Sequence, residues 1–201
     1  MMSEGCLSSR NAFEKISALS LRTDMDLPIS TPRLKLRAHE PEDAAALHAF
    51  YSREDVARYL LDDPWTLSDA KTKVQERVAK TDLDGPSEAL ALIIEFEGNV
   101  IGDVLLWFTD VKHRVAEVGW VLDPTFSGKG YASEAVKAVL DAAFNQYKCH
   151  RVIAQMDARN DSSAKLAERL GMLKEAHHRQ DWFSKGEWTD TLVYAMLASD
   201  R

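Results

Sequence analysis

The stretch Glu117-Val-Gly-Trp-Val-Leu-Asp-Pro-Thr-Phe-Ser-Gly-Lys-Gly-Tyr-Ala132 holds the residues best suited to chemistry, in the order strand, glycine loop, helix start. Such a junction presents backbone N–H groups without partners together with the positive end of a helix dipole, which suits a phosphate or pyrophosphate. Gly128 and Gly130 let the backbone approach a ligand with no Cβ in the way. The same Gly-Lys-Gly also serves a tight loop that merely needs positive φ, and short glycine motifs have many false positives. It is not a Walker loop, which needs Gly-Lys followed by Ser or Thr, nor the Gly-x-Gly-x-x-Gly of a dinucleotide site. Taken alone, Glu117 is a solvated strand residue or a cross-strand partner for a Lys or Arg. Asn160 has the type and place of an N-cap for a helix starting near Ser162, with Ser163 in its first turn. His177 and His178 are adjacent on a strand pattern and so point to opposite faces, with no ligand-spaced Cys or carboxylate nearby. No metal is expected.

These residues need a scaffold, and the periodicities supply one. A strand over about 34–38 alternates Leu34, Leu36 and Ala38 with Lys35 and Arg37. Pro41, with Glu42 and Asp43 behind it, opens helical pieces carrying Leu47, Phe50 and Val56. Thr66 and Asp69 have capping-box spacing ahead of a helix over about 67–81. Strands follow at 89–96, 100–109 and 115–122, the first two joined by Glu97-Gly98-Asn99. Residues 131–147 are the strongest helix, with Ala132, Ala135, Val136, Val139, Leu140 and Ala143 on one face. A strand over 151–156 leads to a helix ending at Gly171, then strands near 173–183 and 188–198 around Ser184-Lys185-Gly186. The order β-α-α-β-β-β-α-β-α-β-β implies a mixed α/β sheet. Trp65, Trp107, Trp120, Trp182 and Trp188 are expected mostly in the core, with Asp103 and Trp107 on the strand over 100–109.

The 201 residues fit one domain at the usual size of roughly 150 residues. Residues 1–28 look like an extension, with a short periodic piece at Phe13, Ile16, Leu19 and Leu21, no signal-peptide core, and a second plausible start at Met25. A net charge of −7 with scattered Lys and Arg argues against nucleic acid and suits an amine-bearing partner. No apolar run approaches the roughly 20 residues of a membrane helix. Cys6 and Cys149 are far apart and in no metal or redox spacing, so a cytoplasmic setting is expected.

Four blocks in order resemble the GNAT acetyltransferase superfamily over about 29–198. Ser127-Gly128-Lys129-Gly130-Tyr131-Ala132 is similar to its pyrophosphate loop [Gln/Arg]-x-x-Gly-x-[Gly/Ala], with Ser in place of Gln or Arg at the first position. Arg159-Asn-Asp-Ser-Ser-Ala164 through Glu168-Arg-Leu-Gly-Met172 resembles its Asn-x-x-Ser…Leu-Gly-Phe/Met segment. Thr31-Pro-Arg-Leu-Lys-Leu-Arg37 and Lys185-Gly-Glu-Trp-Thr-Asp-Thr-Leu-Val-Tyr194 are similar to the RimJ/RimL-type branch, which acetylates protein N-terminal amines and related acceptors.

The resemblance implies a mostly antiparallel sheet splayed between its fourth strand (115–122) and its fifth, flanked by helices, with residues 29–201 as the transferase domain. It implies acetyl-CoA or another short acyl-CoA as cosubstrate, its pyrophosphate on Ser127–Ala132 and its pantetheine arm in the splay. Free backbone at Trp120, Val121 and Leu122 would pair with the arm and polarise the thioester carbonyl, and Asn160 would bond the arm or the departing side of the cofactor. Glu117 resembles the family's strand-borne general base. Ser163 matches a serine of RimL-like members and becomes the candidate acid, because Ala167 stands where many members have Tyr. With no cysteine placed to carry an acyl group, transfer would be direct, to a small-molecule amine or a protein N-terminus, in a chain that leaves room for a homodimer. Two other readings remain at this level: an acyl-CoA sensor without catalysis, and a nucleotide-phosphate binder that uses the glycine loop alone.

Overall fold

The computed structural model describes residues 26–201. The expected short helix around Phe13–Leu21, Cys6 and most of the 1–28 extension lie outside the described residues. Two-residue β1 (Ile29–Ser30) pairs antiparallel with β2 (Lys35–Ala38). A 3₁₀ turn at Pro41–Asp43 leads into α1 (Ala44–Tyr51), then α2 (Glu54–Ala57) and α3 (Leu67–Val78). The capping box of α3 forms as the spacing requires: Thr66 Oγ1 accepts from the Asp69 amide at 3.2 Å, and Asp69 Oδ2 accepts from the Thr66 amide at 2.8 Å. The helix stops at Val78 rather than Thr81, because Thr81–Asp82 form β3 against Leu90 and Ala89.

The remaining elements are β4 (Ala89–Phe96), β5 (Asn99–Asp110), β6 (Val115–Leu122), α4 (Tyr131–Asn145), β7 (Arg151–Asp157), α5 (Asp161–Arg169), β8 (Leu173–Ser184) and β9 (Glu187–Leu197). The β4–β5 turn has Glu97 at φ 49° and Gly98 at φ 78°, the two positive angles that a two-residue hairpin loop matched to strand twist demands. The sheet runs β1-β2-β4-β5-β6-β7-β9-β8, with β3 beside β4, and every pairing is antiparallel except β6–β7.

Alternation along the strands feeds two cores. One face buries Leu92, Val104, Leu106 and Val118 against Ala135, Val136, Val139 and Leu140 of α4. Each large apolar side chain so buried contributes about 1.5–3 kcal/mol. The other face buries Ile93 against Leu47 and Phe50 of α1 and Ala70 and Val74 of α3. Among the described residues no helix is long and apolar enough to cross a membrane.

The feature that matters most lies at β6–β7. Their parallel pairing covers only Val115↔Arg151, Ala116↔Val152 and Glu117↔Ile153. Past that point β6 stays with β5 as far as Leu122↔Gly102, while β7 stays with β9 as far as Asp157↔Thr191. The sheet therefore opens immediately after Glu117. Gly102 is required at this edge, since a Cβ there would sit 2.4 Å from the Val121 carbonyl oxygen.

Candidate active site

The opening is continuous with a cleft of about 440 Å³. Glu117, Trp120 and Val121 reach it from β6, Gln155 from β7, and Asn160 and Ser163 from the start of α5. Strand alternation along β6 is unbroken from Ala116 to Leu122, so no bulge re-aims these side chains. Glu117, opposite Trp107, shares a face with Gly119 and Val121, while Trp120 packs toward the α4 side. Leu122 turns into that same core, and neither it nor residues 127–132 line the cleft.

Glu117 stands at the vertex, partly buried, with Gln155 Nε2 donating to its Oε2 at 3.3 Å. Burial pushes its carboxyl above the ordinary glutamate value, and the Gln155 hydrogen bond opposes part of that rise. Asn160 caps α5: its Oδ1 accepts from the Ser163 amide at 3.2 Å and from Ser162 Oγ at 2.8 Å. Its Nδ2, and the hydroxyl of Ser163, have no partner among the described residues. The cap and a ligand contact are thus compatible, one using the oxygen and the other the amide protons.

The glycine loop follows β6. Asp123 caps the turn Pro124–Phe126 by accepting from the Thr125 amide at 2.9 Å. Gly128 and Gly130 both take left-handed φ, 77° and 82°, and Gly130 is the N-cap of α4. Among the described residues the amides of Gly128 through Ala132 have no hydrogen-bond partner, and Ser127 through Gly130 are exposed. Side chains outside the motif brace this loop. Glu134 accepts from Thr31 Oγ1 at 2.6 Å and from Arg33 Nε at 2.7 Å, and Arg33 Nη1 donates to the Lys129 carbonyl at 2.9 Å. The Arg33 guanidinium also lies 4.5 Å from the centre of the Tyr131 ring. A row of free amides at a helix start, with no Cβ in front of it, fits a pyrophosphate.

On the α1–α3 side of the cleft lies a cluster of which the sequence singled out only Asp103 and Trp65. Asp103 is fully buried on β5; Tyr51 Oη donates to its Oδ1 at 2.7 Å and Arg77 Nη1 to its Oδ2. Trp65 stacks on Tyr51 with ring centres 3.8 Å apart, and the Arg77 guanidinium lies against both rings. His39 is close by, its Nε2 3.8 Å from Asp103 Oδ2, and both ring nitrogens are buried without a hydrogen bond. Burial holds its imidazole down at about 4.

The tryptophans depart from expectation. Of the five, only Trp65 is in the core, whereas Trp65, Trp107, Trp120 and Trp182 all line the cleft and Trp188 is exposed. The tip of the β8–β9 hairpin reaches over the cleft, where Lys185 Nζ donates to the carbonyls of Ala57 and Leu60. Cys149 is buried, its thiol pushed up to about 11, which leaves it no role as an acyl carrier.

Comparison with known proteins agrees with this geometry. The family model described as acetyltransferase (GNAT) domain matches residues 33–173. The uncharacterized N-acetyltransferase YnaD of Bacillus subtilis (strain 168) is 30% identical over 172 residues, which cover 86% of this chain and 98% of that protein. A solved GNAT-family acetyltransferase from Bacillus anthracis aligns with a TM-score of 0.78 at 28% identity, covering 86% of this chain and 99% of the other. The ribosomal L7/L12 alpha-N-protein acetyltransferase RimL, solved in complex with coenzyme A, aligns with a TM-score of 0.75 at 20% identity, over 85% of this chain and 97% of its own, a likeness of fold. With a sheet that opens at one parallel pair, a free-amide loop behind it and these relatives, the chain belongs to the GNAT acetyltransferase family and is an N-acetyltransferase.

Proposed function

We propose that residues 29–201 form a cytoplasmic catalytic domain that moves an acetyl group from acetyl-CoA directly to a primary amine, on a small molecule or a protein N-terminus. The observation that carries this reading is the position of Glu117 at the point where β6 and β7 part, with a polar helix start on the opposite wall. Bound acetyl-CoA would supply the thioester carbonyl that the amine attacks and the sulfur that leaves.

The amides of Gly128 through Ala132 hold the pyrophosphate, while the free edge of Trp120, Val121 and Leu122 pairs with the pantetheine arm and donates to the carbonyl oxygen. Asn160 Nδ2 donates to the arm. Glu117 takes the proton from the incoming amine, directly or through a water. Its raised pKa brings it nearer the operating pH, where a general base is most effective. Ser163 donates its hydroxyl proton to the departing sulfur and regains one from solvent.

The test is a pair of pH–rate profiles, wild type and Glu117→Gln. Loss of a general base costs about 10²–10⁴-fold. That loss should appear in turnover and shrink at high pH, where free amine is abundant. Parallel profiles offset by less than about threefold would leave deprotonation to solvent and end the assignment.

A further inference from the structure

We propose that the floor of the cleft is a carboxylate subsite, Arg77 braced on Asp103 and Tyr51, so that the preferred acceptor is a small amine that also carries a carboxylate. This rests on the transferase reading and refines its acceptor.

Asp103 is fully buried and its two oxygens are taken, one by Tyr51 and one by Arg77. A guanidinium has five N–H groups in a planar fork, and these two neighbours use only part of them. Arg77 lines the cleft with its side chain 12% exposed, and none of its nitrogens is a buried orphan. On the lining of the cleft, the N–H groups that Asp103 and Tyr51 do not take are the ones available to a ligand. The guanidinium lies beside the stacked Tyr51–Trp65 pair, 5.5 and 5.1 Å from the two ring centres. A buried ion pair stabilises a fold little compared with apolar packing, so a pair on the wall of a cleft calls for another use. A fixed fork presenting two N–H groups matches a carboxylate.

Most carboxylates around the cleft already face a cation. A polyamine would need carboxylates free of cations. Here Asp62 is 3.3 Å from Lys73, Asp103 holds Arg77, and Arg159 pairs with Asp157 and Glu187 at 2.7 and 2.8 Å, which leaves Glu117 and Asp181 as the described carboxylates of the lining without a cation partner. Position is consistent as well. Asp103 is in register with Val121, and Glu117 lies four residues along the same face, about 13 Å at the usual strand rise. A small acceptor held at Arg77 would extend from there toward the vertex. Lys185, fastened across to residues 57 and 60, roofs this end and favours a small molecule over a folded protein's terminus.

The experiment compares acids with their own amides. The twenty α-amino acids, β-alanine and longer ω-amino acids are each assayed beside the matching primary amide, which doubles as a mimic of a peptide N-terminus, with spermidine as the polyamine arm. The best acid should exceed its amide by about 10-fold or more in kcat/KM, the worth of one charge-assisted hydrogen bond. Arg77→Lys, which keeps a charge beside Asp103 but loses the fork, should bring that ratio toward unity. A ratio below about threefold for every wild-type pair, or a preference for spermidine or the amides, overturns the subsite. If acetyl-CoA binds but no amine is acetylated, the transferase reading is what fails. Calorimetry of N-acetyl acids against N-acetyl amides then decides the subsite separately, and equal affinity ends it.

Discussion

Replacing Arg33 by alanine should weaken CoA binding about 10- to 100-fold while barely touching the fold. The Lys129–Gly130 peptide is trans, so its carbonyl and its N–H point in opposite directions within one plane. Arg33 Nη1 holds that carbonyl at 2.9 Å and is itself held by Glu134. The Gly130 amide is thereby turned away from Arg33, in the orientation a pyrophosphate would use. Without Arg33 the peptide is free to rotate, and ligand binding must then order one or two residues at about 1–2 kcal/mol each. That range, about 1–4 kcal/mol, brackets the predicted change in Kd, which is about 1.4–2.8 kcal/mol at about 1.4 kcal/mol per tenfold. The Arg33–Glu134 pair is too exposed, 43% at the arginine, to contribute more than about 1 kcal/mol to stability. A fall in Tm beyond about 4 °C is therefore not expected. Calorimetry with CoA and with acetylpantetheine, which lacks the pyrophosphate, reads the effect. CoA should weaken and acetylpantetheine should stay within about threefold of wild type. Unchanged CoA affinity, or equal loss for both ligands, would refute the loop-bracing argument.

Three other outcomes follow from the site and the core. Glu117→Gln should not lower Tm near pH 7. A carboxyl whose pKa is raised by burial contributes its stability below the ordinary glutamate pKa and loses it as pH rises through the raised value, so thermal melts at pH 5 and 8 should show the variant gaining on wild type at the higher pH. Ser163→Ala should lower turnover by about tenfold or more with acetyl-CoA affinity unchanged, as steady-state rates and calorimetry would show; a change in Tm alone would make Ser163 a helix-start residue. His39, held neutral down to about 4, makes stability rise with pH between about 4 and 6.5, since there the unfolded chain binds the extra proton. Urea unfolding near pH 7 and near pH 4.5 should show wild type losing about 2 kcal/mol more than His39→Leu on acidification, at about 1.4 kcal/mol per unit; equal losses would contradict the buried, unpartnered imidazole.

What was legible in the sequence is what is local. The helix face of α4, the Thr66–Asp69 box, the Glu97–Gly98 turn and the glycine loop are each written within a few residues, and each formed where its periodicity or turn chemistry placed it. The end of α3 was misjudged because Thr81 and Asp82 are claimed by β4, a partner whose pull no helical pattern reveals. The brace on the glycine loop was invisible for a similar reason: Arg33 and Glu134 are 101 positions apart, and each alone is an ordinary surface charge. Arg77, in the last turn of α3, matches a cation set against a helix C-terminus. Only the fold turns it toward Asp103, 26 positions further on. Gln155 beside Glu117 needed the parallel register of β6 with β7. The tryptophans misled because bulk and apolarity fit a cleft wall as well as a core.

Direct transfer is tested by release of CoA thiol from acetyl-CoA, measured while acetyl-CoA and the best amine of the acceptor panel are varied together. It predicts release that requires the amine, one N-acetylated product per thiol, and intersecting double-reciprocal lines, because both substrates must be bound before the C–S bond breaks. Thiol release without amine, an acetyl group found on the protein by mass spectrometry, or parallel lines would contradict it.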